Sequence, residues 1–193
     1  MKSLNLLKIL PRTHPKASTV GFTIIELAIV VLIIGVLSAI AAPGWNAFIS
    51  RQRTRTVNDG VFQVLRSAQS DAKSNKKSVT VTFALGTDTP EITITDKPKE
   101  ILNANGEIKA GMVRLQPGKC TTDANGNCTG FHSDNPTALT FDNLGVIENE
   151  NALPFVVTTA IVDGKGAKRC VIVETILGGM RTAQGDDCPT PTW

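Results

Sequence analysis

Few residues in this chain could carry chemistry: four cysteines, one histidine beyond residue 14, and a carboxylate at the head of an uncharged apolar run. The cysteines are Cys120, Cys128, Cys170 and Cys188. An even number in a loop-rich segment beyond a hydrophobic run points to disulfides formed in an oxidising compartment. Three pairings are possible, and closeness in sequence favours Cys120–Cys128 with Cys170–Cys188. Zinc is the rival chemistry, through Cys120, Cys128 and His132. No CxxC spacing occurs, however, and no metal site is expected. Asp123, Asn125, Asn127 and Asp134 fall at positions 1, 3, 5 and 12 of a calcium-loop spacing. Cys128 stands where such a loop needs glycine, and Asp134 where a bidentate glutamate is usual. Asn125-Gly126-Asn127 is also plain turn chemistry. The chain has no tyrosine, and no serine or cysteine motif has a base at a recognisable spacing. An enzyme is not expected, nor a cofactor.

The carboxylate is Glu26, and from Leu27 to Ala42 no charge follows it. As a helix, residues 22–42 would extend about 31 Å, close to the thickness of a bilayer core. A plain membrane anchor accounts for the hydrophobicity but not for Glu26, since an unpaired carboxylate there is costly and tends to be functional. Ala39, Ala41 and Ala42 could imitate a signal-peptidase site. The run is long for a signal core, and an amphipathic pattern continues past it. Pro43-Gly44 removes a backbone donor and loosens the helix, which predicts a kink or a melted turn rather than a stop.

Beyond that break, Val57, Val61, Val64, Leu65, Ala68 and Ala72 follow spacings of 3 and 4, an apolar stripe on a polar helix that ends near Ser74–Lys77. Between them lie Arg51, Arg53, Arg55, Arg66, Lys73, Lys76 and Lys77. These read as a solvated face, with lipid head groups or acidic neighbouring domains as sharper alternatives. After residue 78 the period changes to two. Val79–Phe83 and Ile92–Thr95 read as strands around a turn at Gly86–Pro90. Residues 96–111 read as polar turns, with a tight one at Asn105-Gly106. Met112–Leu115 reads as a short strand and 116–138 as a long loop. Further strands are predicted over Leu139–Phe141, Gly145–Ile147, Phe155–Val162, Arg169–Ile176 and Met180–Ala183, with a turn at Asp163–Gly166. The fold class is α+β: a long N-terminal helix followed by an antiparallel β domain. The organisation is a basic segment 1–21, an apolar helix 22–43, an amphipathic half 44–77 and a β domain 78–193.

The net charge of +3 conceals a division. Residues 1–21 hold Lys2, Lys8, Arg12 and Lys16 and no acid, giving +4. Residues 44–77 carry seven basic and two acidic residues, and residues 78–193 nine basic and fourteen acidic. The stem is therefore basic and the β domain acidic, which argues against a domain that coats nucleic acid.

Gly21-Phe22-Thr23-Ile24-Ile25-Glu26, with the apolar run to Leu37 and Pro43, resembles the class III signal of type IV pilins and type II secretion pseudopilins. The resemblance implies that a prepilin peptidase cuts between Gly21 and Phe22, that the Phe22 amine is N-methylated, and that Glu26 meets this amine on a neighbouring subunit. It implies a pilin-like fold. The partners would be other pilin subunits, the peptidase, an inner-membrane assembly platform and, before assembly, the membrane itself. The location would be the inner membrane as a single span, then a pilus or pseudopilus.

Within that superfamily, Phe141-Asp142-Asn143-Leu144-Gly145 resembles the Phe-x-x-x-Gly turn of the H-type (GspH/FimT-like) minor pseudopilins. Cys170-Val171-Ile172-Val173 with Gly178-Gly179-Met180-Arg181 resembles their closing hairpin, in which Gly-Arg-x-Arg is common. Here Arg181 is kept and Gly179 replaces the other arginine. Some H-type minor pilins take up DNA. By that resemblance Lys165, Lys168, Arg169 and Arg181 are the candidate DNA contacts, close together if the last long strands pair. The missing arginine, the acidic domain and the lack of tyrosine for base stacking count against it.

Overall fold

The computed structural model describes residues 21–85, 88–124, 126–134, 136–162 and 168–192. The basic segment before Gly21, Gly86 and Thr87 of the first predicted turn, Asn125, and the turn predicted at Asp163–Gly166 with Lys165 lie outside the described residues. The chain divides into two compact units, Met1–Ala42 and Pro43–Trp193. One helix, α1 (Ile24–Asn75), supplies residues to both. Its backbone is assigned as helical through Pro43 and Gly44.

In the second unit, the stripe Val57, Val61, Val64, Leu65, Ala68 and Ala72 is buried along its whole length. Spacings of 3 and 4 set these side chains on one face, and burying that face holds the helix in place. The helix stops after Asn75. Lys76 takes a left-handed φ of 56°, and the Lys77 N–H donates to the Ala72 carbonyl at 3.3 Å, closing the last turn.

The strands are β1 (Val79–Phe83), β2 (Glu91–Ile94), β3 (Glu100–Ile101), β4 (Val113–Thr122), β5 (Cys128–Phe131), β6 (Ala138–Phe141), β7 (Phe155–Ile161), β8 (Arg169–Val173) and β9 (Met180–Gln184). They form two antiparallel sheets, in the orders β3-β2-β1-β6 and β5-β4-β7-β8-β9. The period-two pattern explains the first sheet. Val79, Val81 and Phe83 turn inward beside Ile92 and Ile94, and across the ladder Val79 pairs with Phe141 and Val81 with Leu139. In the second sheet β7 is buried from Phe155 to Ala160, because both faces are covered. Phe155 and Val157 join the core under α1. Val156 and Ile172 join a second cluster made with all four cysteines.

Three predicted boundaries are corrected. The expected loop over 116–138 contains the remainder of β4 and all of β5. Pro117 stays in the strand because, among the described residues, β4 pairs there with β7 on one side only. A free edge tolerates a missing N–H. Gly145–Ile147 is not a strand. Asp142 Oδ1 accepts the N–H groups of Leu144 and Val146, both at 2.8 Å, and folds the chain into a tight turn that leaves one bridge, Phe141 to Ile147. Finally, β8 ends at Val173, not Ile176. The Gly179 N–H donates to Thr175 Oγ1 at 2.9 Å, and the Gly178 N–H to the Thr175 carbonyl at 2.9 Å, turning the chain back into β9.

Candidate assembly surfaces

In the first unit Gly21, Phe22 and Thr23 precede the helix. Thr23 Oγ1 accepts the Glu26 N–H at 3.2 Å, so Thr23 caps the helix. Thr23-x-x-Glu26 is the spacing of a capping box, and the Glu26 carboxylate sits in the first turn, where the helix dipole favours it. Glu26 thus has a local reason for its place, which the sequence reading missed although the Thr-x-x-Glu signal was visible. Among the described residues, the Glu26 carboxylate makes no ion pair. Phe22 is 82% exposed and Ile24 90%, and every side chain from Gly21 to Ile40 is exposed. The exposed residues run consecutively, so the apolar surface encircles the helix, and such a surface must be covered by something. Neither part of α1, Ile24–Ile40 or Gly44–Asn75, is by itself long and apolar enough to cross a membrane, and they reach that length and composition only together.

The second unit begins with an exposed aromatic pair, Trp45 and Phe48, whose ring centres lie 6.2 Å apart. The arginines that follow do not form one face. Arg51 and Arg55, four apart, line a groove with Phe48, Gln52, Thr56 and Arg169 of β8. Arg53 lines a different depression, beside Glu107 and Ile108.

The candidate DNA contacts are not gathered into one patch. Lys165 lies outside the described residues. Lys168 Nζ donates to Thr190 Oγ1 at 2.9 Å. Arg181 stands opposite Ile172, on the face that carries the cysteines, and its Nε donates to Glu174. Arg169 has the parity of Val171, so it faces the α1 side. Strand pairing therefore puts Arg169 and Arg181 on opposite faces of the sheet.

The structure joins Cys120 to Cys128 and Cys170 to Cys188. Asp123 Oδ1 accepts the Asn127 N–H at 2.8 Å, so this carboxylate closes a turn. No group of three or more metal-ligating side chains occurs among the described residues. On β2, the Lys99 ammonium, followed by the Thr89 hydroxyl, holds the Glu91 carboxyl below the usual range. A lowered folded pKa means that this contribution is present above the unfolded value and fades as pH falls through the folded one.

The turns at Gly145 and Gly178 meet one residue that the sequence reading overlooked. Gln69 Nε2 donates to the Gly145 carbonyl at 3.0 Å and to the Leu177 carbonyl at 2.9 Å. Gly145 and Gly178 each adopt a φ of 75°, and a Cβ on Gly178 would lie 2.3 Å from Gln69 Nε2. No local pattern marks Gln69, because both of its partners are remote in sequence. Gln69→Ala is expected to destabilise the second unit by about 1–2 kcal/mol, measured by urea unfolding. A change under about 0.3 kcal/mol would show that the amide is not the clamp.

Over 93 residues, 46% of its length, the chain is 34% identical to the type IV major alpha-pilin of Moraxella bovis. Over that stretch the chain is similar to a type IV pilin, and it spans 58% of that relative's length. No protein-family model matches it. Two crystal structures of the Pseudomonas aeruginosa type IV minor pilin FimU are similar to this chain. One has a TM-score of 0.41 at 16% identity, covering 70% of this chain and 92% of FimU. The other has a TM-score of 0.40 at 15% identity, covering 67% and 91%.

Proposed function

We propose that this chain is the precursor of a structural filament subunit, a minor pilin or H-type pseudopilin of a type IV pilus or type II secretion system. The observation that carries the reading is the helix after Gly21, which exposes apolar side chains all round over Ile24–Ile40. Lipid before assembly, and the equivalent helices of neighbouring subunits afterwards, would cover it in turn. A prepilin peptidase cuts between Gly21 and Phe22, the Phe22 amine is methylated, and an inner-membrane platform draws the subunit into the filament. The role is structural rather than enzymatic. Arg169 and Arg181, two of the candidate DNA contacts, lie on opposite faces of their sheet, which counts against the DNA-uptake alternative.

Mass spectrometry of the protein from its own cells tests this. The expected chain starts at N-methyl-Phe22 and retains two disulfides. A chain still carrying residues 1–21 after membrane insertion would reject the filament reading.

A further inference from the structure

We propose that the groove between α1 and β8 binds the phosphate of an anionic phospholipid headgroup while the subunit is held in the membrane. This rests on the membrane stage of the proposed function.

The groove carries three guanidiniums, Arg51, Arg55 and Arg169, against one carboxylate, Asp59. Asp59 is engaged with Arg55, 3.6 Å away. Arg51 and Arg169 make no ion pair among the described residues. Guanidinium forks match phosphate oxygens in shape and charge. Gln52 adds a neutral amide to the lining, while the Thr56 hydroxyl is already donated to the Gln52 carbonyl at 3.0 Å. The remaining lining residue is Phe48, 57% exposed, next to the exposed Trp45. A site lined by an apolar ring as well as by guanidiniums suits a lipid, whose phosphate adjoins its acyl chains. Aromatic rings and cations are the side chains that settle at headgroup level. Chain connectivity alone keeps Phe48 within about 21 Å of Ala42. Arg53 is the internal contrast: it has the same charge and lies two residues away, but it lines the adjoining depression with Glu107, on the other side of Gln52 and Thr56, which line both.

The test uses the full chain in non-ionic detergent micelles. It is titrated separately with short-chain phosphatidylglycerol, the matching phosphatidylcholine, inorganic phosphate and a duplex oligonucleotide. Binding is read from the Nε–H NMR signals of the arginines. Phosphatidylglycerol is expected to move the Arg51, Arg55 and Arg169 signals and not that of Arg53. Arg51→Gln with Arg169→Gln should weaken the response about 30-fold, and Arg53→Gln should leave it unchanged. An equal response to inorganic phosphate would make this an anion site without lipid preference and overturn the proposal. Stronger binding of the oligonucleotide would overturn it in favour of nucleic acid. No shift, or equal weakening by Arg53→Gln, would also overturn it. Vesicle flotation separates the two readings. A chain that does not float with vesicles removes the membrane stage itself. A chain that floats while its groove arginines stay silent removes this proposal alone.

Discussion

Replacing Cys170 and Cys188 together by alanine is expected to destabilise the second unit by about 3 kcal/mol, and the Cys120/Cys128 pair by slightly less. The order follows from the sequence separations the two bonds close, 18 and 8 residues. Confining a longer loop removes more freedom from the unfolded chain. The folded-state contribution does not separate the pairs, since all four cysteines are buried in one cluster. Cys170 and Cys188 are 0% and 1% exposed and pack in the cluster with Val156 and Ile172. Truncating them opens space inside that cluster. Without this bond the tail would be held mainly by polar contacts. Gln116 and Thr192 bond reciprocally, with the Thr192 N–H donating to Gln116 Oε1 at 2.6 Å, and Lys168 reaches Thr190. Urea unfolding of residues 43–193 should therefore show a lower midpoint for the Cys170/Cys188 variant, with proteolysis starting in the tail. A loss below about 1 kcal/mol, or a larger loss for Cys120/Cys128, would contradict the tether role.

What could be read ahead of the structure was whatever is written in local periodicity. Val57 to Ala72 lie at helical spacing and Val79 to Phe83 at strand spacing, and each set is buried as its period requires. The cysteine pairing favoured by closeness is also the one the structure shows. One bond closes the β4–β5 hairpin, and the other joins β8 to the segment just after β9. What could not be read depends on partners distant in sequence. The stretch after Leu115 read as loop, whereas β4 runs on through Pro117 because β7 pairs with it there. Gln69 looked like one more polar residue on a solvated face until two glycine turns arrived beneath it. Arg51, Arg53 and Arg55 read as part of a solvated face, and the structure divides them between two adjoining depressions. A helix turns alternate residues to different flanks, and Arg169 enters from another element altogether. The sequence reading also grouped Arg169 with Arg181, which strand parity separates.

Glu26→Ala is expected to leave cleavage after Gly21 intact and to lower incorporation into the filament at least ten-fold, if the proposed assembly holds. The helix core of a filament is dry, and a buried carboxylate without a cation or donor is expensive. The amine created on Phe22 is the nearest cation the chain can supply, and it exists only after cleavage, so uncleaved chains would carry an uncompensated charge. The capping geometry complicates the alanine variant. Thr23 Oγ1 accepts the Glu26 N–H, and Glu26 occupies the position where glutamate or glutamine completes a capping box. Alanine there removes a dipole interaction of about 0.3–1 kcal/mol as well as the charge. Glu26→Gln separates the two contributions. It keeps a capping-competent amide and removes the charge, so charge pairing predicts that glutamine fails as alanine does, at unchanged membrane levels. Capping predicts that glutamine incorporates normally and alanine only is impaired. Thr23→Ala supplies the converse, weakening the cap while leaving the carboxylate. Near-normal incorporation of Thr23→Ala beside failure of Glu26→Gln would assign Glu26 to assembly. The reverse pattern would make it a helix cap and remove the pairing with Phe22.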